Sequence, residues 1–282
     1  MKRPAAAQTA FGPMVIAACE HARPPGQRLF DDPDAARILP AGPRVIARLC
    51  RWKPAYALLR NATDREAPGL WASMLCRKRY ADDQVRAALR DGIRQFLFLG
   101  AGLDTRPYRL VLPAGARAFE VDLPANIDLK RRRLAAAYGG APSGTTLIGA
   151  DLEEGDLAAK LNGMSSEPTM VVWEAVTQYL TEEGVRGTLA SLAGQAAGSR
   201  LIFTYIRRDF LDGTDEFGAG AMRRRFVTEQ RIWHFGLRPG EVAGFLRDYG
   251  WTEREQAGPA EYAERYQAND VSPVERFVYA DR

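Results

Sequence analysis

The chain has 282 residues, of which 46% are hydrophobic and 26% charged, and its net charge is +4. This composition is typical of a globular protein and excludes disordered and fibrous classes, while the small charge favours anionic partners only weakly. Three cysteines without a CxxC pair argue against a disulfide framework or a zinc site, and they indicate a cytoplasmic protein. Apolar runs stay short of the roughly 18 residues of a membrane helix. Gly12 and Pro13 interrupt the first such run, so we expect no signal peptide.

The first 94 residues carry helical patterns and no strong strand signal. Apolar residues spaced by three and four positions predict helices in "DPDAARILPAGPRVIARL" and in "WASMLCRKRYADDQVRAALRDGI". We expect residues 1–94 to form a helical cap that packs on a core formed by residues 95–282.

From residue 95 the pattern changes to alternating strands and helices. Five short β-branched or aromatic runs are predicted strands, namely 95–100, 117–122, 145–151, 169–175 and 200–206. Helical stretches separate them, which implies right-handed crossovers and a parallel sheet in an α/β fold. Residues 207–238 are polar and arginine-rich and are predicted to form a lid insertion. A last helix in "RPGEVAGFLRDYG" and strands near "WTEREQ" and "RFVYA" follow.

A glycine loop with two carboxylates predicts a nucleoside site. Gly100 and Gly102 follow the first strand, where the absence of Cβ atoms lets the backbone approach a ligand, although a plain tight turn would also use them. Thr105 stands where G-x-G-x-x-G needs its third glycine, which argues against NAD or FAD. Asp122 ends the second strand and could accept both ribose hydroxyls, and Asp151 ends the third and could bind an adenine amino group. One acidic residue for the ribose and one for the adenine, without a phosphate-binding motif, fit S-adenosylmethionine.

Longer motifs resemble a known family. "LGAGLDTRPYRL", "FEVDLPANIDLKRRRL", "GADLEE" and "WEAVTQYLTEEGV" are similar to the leucine carboxyl methyltransferase family, which includes phosphatase-methylating enzymes and polyketide carboxyl methyltransferases of tetracenomycin type. The resemblance runs from about Thr9 through "WHFGLRPGEVAGFLRDYGW". It implies a class I methyltransferase fold, Rossmann-like, with a seven-stranded sheet whose last strand is antiparallel. It also implies S-adenosylmethionine as cofactor and S-adenosylhomocysteine as product.

The resemblance also implies a set of cofactor contacts. Arg77 matches the family arginine that binds the carboxylate of the methionine moiety better than Arg79 does, and a guanidinium suits that role. Glu174 would lie near the ammonium or the sulfonium, unless it is a buried acid paired for structural reasons. The expected cofactor-binding residues are Arg77, Gly100, Ala101, Gly102, Asp122, Leu123, Asp151, Leu152 and Glu174.

Candidate acceptor contacts lie beyond the fourth strand. Tyr179 either lines the acceptor pocket or belongs to the core. Cationic lid residues could orient an acceptor carboxylate, and the candidates are Arg207, Arg208 and the run Arg223 to Arg225. Asp104 and Arg106 are expected to pair locally and fix the glycine loop. His21 and His234 are too scattered for a metal site, so no metal is expected.

The sequence shows no evident general base, and this favours one kind of methyl acceptor. A carboxylate has a pKa of about 4 and is ionised at neutral pH, so its methylation needs no general base, whereas a phenol with a pKa of about 10 would. We expect a methyl ester on a small natural product of secondary metabolism or on a peptide C-terminus. The alternatives are a hydroxyl or amine acceptor, a protein that binds S-adenosylmethionine without turnover, or an NAD-dependent oxidoreductase.

Nucleic acid is not an expected partner, because the charge is modest and no RNA-binding module is visible. The basic run Lys130 to Arg133 is interpreted as a solvated helix face. No membrane partner is expected, and the oligomeric state is left open.

Overall fold

The N-terminal region is helical. The computed structural model describes residues 11–155 and 157–282, so Thr9 and the rest of residues 1–10 lie outside the described residues. The helices are α1 Phe11–His21, α2 Ala35–Ile38, α3 Ala41–Leu49, α4 Lys53–Asp64 and α5 Leu70–Arg90. Leu39 is extended before Pro40, because a residue that precedes proline is disfavoured in the helical region, and this separates α2 from α3.

A twisted sheet forms the centre of the rest of the chain. Its strands are β1 Gln95–Leu99, β2 Arg117–Asp122, β3 Thr145–Gly149, β4 Thr169–Trp173, β5 Arg200–Arg207, β6 Gly236–Leu237, β7 Thr252–Ala257 and β8 Glu275–Asp281. The order is β3-β2-β1-β4-β5-β8-β7, and the short β6 pairs with β5. β8 runs antiparallel to both of its neighbours, β5 and β7, and the other strand pairs of the described sheet are parallel. The predicted fold is confirmed, with β6 as an additional strand inside the predicted insertion.

Helices connect these strands. They are α6 Pro124–Tyr138, α7 Leu157–Lys160, α8 Glu182–Leu192, α9 Arg208–Asp212, α10 Gly220–Arg223, α11 Val242–Arg247 and α12 Pro259–Tyr266. Within the described residues, none of the helices is both long and apolar enough to cross a bilayer.

Alternate side chains of β1 pack in two different hydrophobic cores. Leu97 and Leu99 belong to the cluster on one face of the sheet, whereas Phe96 and Phe98 belong to the cluster on the other. Both faces are covered, which explains why the parallel strands appear in the sequence as nearly continuous apolar runs. A third cluster packs Trp71 of α5 with residues of α1 to α3 and of the loop after β1. The helical N-terminus is thereby held over the carboxyl ends of the strands.

The basic run on α6 differs from the prediction. Lys130 is fully buried and forms an ion pair with Glu120 of β2. Arg133 is half-buried and donates to the carbonyl oxygens of Ile38 and Leu39 at 2.7 and 2.6 Å. The interpretation as a solvated face was therefore wrong for these two residues. A helix repeats about every 3.6 residues, so positions three apart share its inner side, while Arg131 and Arg132 between them are exposed.

Candidate active site

A cavity of about 820 Å³ opens at the carboxyl ends of the parallel strands. This edge of an open α/β sheet is where ligands bind in such folds. The structure brings together all of the predicted cofactor-binding residues and Tyr179 in its lining: Arg77, Gly100, Ala101, Gly102, Asp122, Leu123, Asp151, Leu152, Glu174 and Tyr179. Residues of α1 and α5 and of the 207–238 insertion complete the wall.

Asp122 fixes the glycine loop. Gly100 and Gly102 have φ angles of +63° and +42°, a region that glycine enters without a Cβ penalty. The Asp122 carboxylate accepts from the Gly102 N–H at 2.6 Å, and its other oxygen accepts from Leu123 N–H and Asn126 Nδ2 at 2.7 Å each. One carboxylate thus joins the loop after β1 to the start of α6, at the position predicted for the ribose.

We expect Asp122→Ala to raise the dissociation constant for S-adenosylhomocysteine by about 5- to 150-fold, which corresponds to about 1–3 kcal/mol. The variant removes a charged acceptor from the predicted ribose position and loosens the glycine loop. Isothermal titration calorimetry on the folded variant measures the change. Asp128→Ala on the same helix is the control, because this acid is exposed and pairs only with Arg131 among the described residues. An unchanged affinity in Asp122→Ala would place the ribose elsewhere.

Glu174 is the centre of a buried charge cluster at the end of β4. Its Oε1 accepts from Arg77 Nε at 2.8 Å and lies 3.8 Å from Lys78 Nζ. Its Oε2 lies 2.7 Å from Arg106 Nη1, but without hydrogen-bond geometry. Burial alone would raise the pKa of this carboxyl, but the Arg106, Lys78 and Arg77 cations outweigh it and hold the pKa well below its usual range. Glu174 is therefore ionised, with one oxygen open to a further donor.

Arg77 is held on two sides. Besides its bond to Glu174, it donates from Nη1 to Glu275 Oε2 at 2.6 Å. The guanidinium is thereby oriented in the cavity wall. Its predicted hydrogen bonds to the carboxylate of the methionine moiety would have to share the N–H groups that Glu174 and Glu275 use. Lys78 also lines the cavity and was not predicted. Burial lowers the pKa of its ammonium group. Its position next to Arg77 on α5 was the only signal in the sequence.

The expected local pairing of Asp104 and Arg106 is confirmed. Arg106 is almost fully buried and donates to Asp104 Oδ2 at 2.6 Å and to Asp82 Oδ1 at 2.8 Å. It also donates to the carbonyl oxygen of Lys78 at 3.0 Å. Arg106 therefore joins the glycine loop to α5 and to Glu174, as a residue that fixes the site.

The apolar half of the cavity is defined by its aliphatic and aromatic side chains, which come from the N-terminal helices, the end of β5, the 207–238 segment and the residue before β8. Its aliphatic and aromatic lining consists of Met14, Leu70, Met74, Ile206, Met222, Phe226, Trp233 and Val274. Trp233 stacks on Phe226 with ring centroids 4.8 Å apart. Trp233 Nε1, Gln178 Oε1 and Ser272 Oγ are buried in this lining without a hydrogen-bond partner in the described structure. Unpaired buried polar atoms are costly, so these three are suited to a bound molecule.

Arg207 and Arg208, predicted to bind the acceptor, do not belong to the cavity lining. Arg207 donates to Asp209 at 2.6 Å and covers the Phe217 ring, and Arg208 lies about 4 Å from Glu182 and Glu241. β5 continues directly into α9 at these two residues, and their contact with the acceptor stays a prediction.

Of the other lid arginines, Arg225 lines the cavity, whereas Arg223 and Arg224 do not. Arg223 is held by the carbonyl oxygens of Phe210 and Leu211 at 2.9 and 3.1 Å. Arg225 donates to Glu66 Oε1 at 2.6 Å and so joins the insertion to the N-terminal region. Residues 207–238 therefore contribute one cation to the described lining of the cavity.

Comparisons with known proteins agree with this fold. A protein of Parafrankia sp. strain EAN1pec, provisionally named an S-adenosyl-L-methionine-dependent methyltransferase, is 31% identical over 88% of this chain and 77% of its own length. A Mycobacterium tuberculosis protein of the same provisional name is 32% identical over 95% of this chain and 87% of its own. The matches to the similarly named Streptomyces avermitilis and Streptomyces coelicolor relatives each span 62% of the relative's length.

Among solved structures, a Thermobifida fusca protein described provisionally as a methyltransferase is similar in fold, with a TM-score of 0.61 at 19% identity. The similarity covers 96% of this chain and 94% of the Thermobifida fusca chain. The sequence itself matches the family described as leucine carboxyl methyltransferase over residues 10–193, and this match includes the glycine loop, Asp122, Asp151 and Glu174. The chain belongs to the leucine carboxyl methyltransferase family.

Proposed function

We propose that this chain transfers the methyl group of S-adenosylmethionine to a carboxylate of a small, largely apolar molecule, such as a natural product of secondary metabolism or a peptide C-terminus. A carboxylate oxygen attacks the methyl carbon, and the C–S bond breaks with its electron pair moving to sulfur. The products are a methyl ester and S-adenosylhomocysteine, and no proton has to be removed. The protein holds donor and acceptor in line and excludes water.

The charges of the cavity support a cationic donor. Acidic residues outnumber basic ones in the described lining; the acids are Glu66, Asp104, Asp122, Asp151, Glu153, Glu174 and Glu275, and the bases are Arg77, Lys78 and Arg225. The sulfonium and the ammonium of S-adenosylmethionine would both be stabilised in this field. Asp122 would bind the ribose, Asp151 the adenine, and Glu174 the methionine end.

Arg225 is the observation that carries the carboxylate proposal. Its guanidinium lies over the ring of Phe226 in the cavity lining, and it is the one basic residue of the described lining outside the buried cluster around Glu174. Its ion pair with Glu66 is half-exposed, and such pairs contribute little free energy, so an acceptor carboxylate could replace Glu66. No histidine belongs to the described lining, which suits an acceptor that arrives already ionised.

A hydroxyl acceptor is the second candidate, and Glu66 is the observation that favours it. A carboxylate at the cavity could take the proton of a hydroxyl group as a general base. A carboxylate base and a carboxylate acceptor are both ionised between pH 6 and 9, so a flat rate in this range fits either one. The stability of the methylated product in alkali separates the two acceptors, because only an ester is hydrolysed.

We expect the transfer rate to stay flat between about pH 6 and 9, since no group needed for deprotonation titrates there. Arg225→Gln should raise the KM for the acceptor by about tenfold, which corresponds to about 1.4 kcal/mol, and leave the KM for S-adenosylmethionine unchanged. Steady-state kinetics with an aromatic acid as acceptor provide the measurement. Arg224→Gln is the control, because this neighbouring arginine is exposed and does not line the cavity. A rate that climbs tenfold per pH unit would instead identify a hydroxyl or amine acceptor.

We also propose that residues 1–94 act as the cap and residues 207–238 as the lid of this site. Met14 and Met74 from the first region and Met222 and Trp233 from the second line the same apolar half, and the Glu66–Arg225 ion pair joins the two regions. A cytoplasmic location belongs to the same proposal and is supported by the cysteines Cys19, Cys50 and Cys76, which are unpaired and buried.

A further inference from the structure

We propose that the outer side of α3 and α4 docks this protein on an anionic lipid surface. Large hydrophobic side chains are exposed here and nowhere else in the described residues. They are Val45, Ile46, Leu49, Trp52 and Leu58, with exposed fractions of 52, 45, 58, 67 and 70%. Exposed apolar side chains gathered in one place mark an interaction site, whereas single ones are ordinary.

The helix pattern shows why these side chains face water. In α3, Ala47 and the residue that follows the helix, Cys50, point inward, so Val45, Ile46 and Leu49 occupy the opposite side. None of the residues of α4 is fully buried, and this helix rests on α5 through partly buried side chains. The exposed residues therefore do not contribute to the described core, and their apolar character needs another explanation.

Unpaired cations lie among the exposed apolar residues. Residues 41–63 contain no acidic side chain. Arg48, Arg51 and Lys53 are exposed and form no ion pair within the described part of the chain. A helix that presents leucine and tryptophan together with arginine and lysine is typical of segments that lie in the interface of an anionic bilayer. The phosphates would attract the cations, and the boundary of the acyl region would take up Trp52 and Leu58.

The same charges disfavour other occupants. In a symmetric pair of this chain, the same patch of both subunits would meet, which brings Arg48, Arg51 and Lys53 of one copy against the same cations of the other. Nucleic acid would satisfy these cations but would leave the aliphatic residues without a partner. Anionic lipid satisfies both sets. This proposal does not depend on the methyl acceptor, and it replaces the expectation that no membrane partner exists.

Sedimentation of the full chain with lipid vesicles tests the proposal. The protein should sediment with vesicles of equal parts phosphatidylcholine and phosphatidylglycerol and remain in solution with phosphatidylcholine alone. Trp52→Ser/Leu58→Ser and, separately, Arg48→Gln/Arg51→Gln/Lys53→Gln should each weaken binding about tenfold or more. The control Arg131→Gln/Arg132→Gln/Arg224→Gln removes three exposed cations elsewhere and should bind like the unmodified chain.

Three results would overturn the proposal. The first is the absence of sedimentation with the anionic vesicles, or equal sedimentation with the neutral ones. The second is an equal loss of binding in the control triple variant, which would mean that net charge alone attracts the vesicles. The third is a dimer in analytical ultracentrifugation that Trp52→Ser/Leu58→Ser converts to a monomer, because the surface would then be an interface between two copies of this chain.

Discussion

Glu174→Gln should lower the free energy of unfolding by about 3–5 kcal/mol, because removing one anion from a buried ion cluster leaves its cations only partly compensated. The glutamine keeps the shape of the side chain, but Arg77, Lys78 and Arg106 lose the anion that they share. Urea denaturation at pH 7 measures the change. Affinity for S-adenosylhomocysteine should fall as well, since the same carboxylate is the proposed partner of the methionine end.

Glu182→Gln is the matched control, because the ion pair of Glu182 with Arg186 is exposed and should contribute no more than about 0.5 kcal/mol. The pH dependence adds a second readout. The pKa of Glu174 is depressed in the folded state, so its stabilising effect is complete above the unfolded pKa of about 4.3 and is lost as the pH falls below it. Between about pH 4 and pH 2 the unmodified chain should therefore lose more stability than Glu174→Gln. A loss below about 1 kcal/mol at pH 7 would show that the cluster tolerates a missing charge.

Gly100→Ala should destabilise the protein by about 2–5 kcal/mol and weaken cofactor binding. An alanine at a φ of +63° is strained, by about 1–2 kcal/mol, and its Cβ would clash with Val176 Cγ2, an overpacking that adds about 1–3 kcal/mol. The contact is relieved by a change in the Val176 side chain or by movement of the loop away from the end of β4. Thermal unfolding and calorimetric titration with S-adenosylhomocysteine measure the two effects.

Gly115→Ala separates backbone strain from the clash. Gly115 has a φ of +72°, and no atom lies within 4 Å of the position that an alanine Cβ would take, so its alanine variant should show the strain alone and bind the cofactor normally. Adding Val176→Ala to Gly100→Ala should recover part of the lost affinity. If Gly100→Ala behaves no worse than Gly115→Ala, the close approach of the loop to Val176 has no role in the site.

The sheet could be predicted from the sequence because its signals are local. Both faces of the parallel strands are covered, so each strand is a short apolar run, and three of these runs lead to an acidic residue at the ligand-binding edge. Asp122, Asp151 and Glu174 were found by this rule, and the structure places all three on one cavity. A short, local pattern of this kind does not depend on how distant segments pack.

The partners of these residues could not be predicted, because they come from distant parts of the chain. Arg77 and Glu174 are 97 residues apart, and no periodicity relates them. The direction of Arg207 and Arg208 depends on the turn from β5 into α9, and the burial of Lys130 depends on Glu120 of a neighbouring strand. The sequence contains one weak sign that Trp233 lines the cavity. A tryptophan within a polar segment is unusual unless its ring is covered.

The central claim is that the product is a methyl ester, and alkaline hydrolysis of the product tests it most directly. The protein is incubated with S-adenosylmethionine that carries a radioactive methyl group and with a panel of apolar aromatic acids and their hydroxyl and amine analogues. The labelled product is then treated with mild alkali. We predict that the label is released as methanol, since esters hydrolyse in alkali. A label that stays on the acceptor after alkali would identify an ether or N-methyl product and contradict the account.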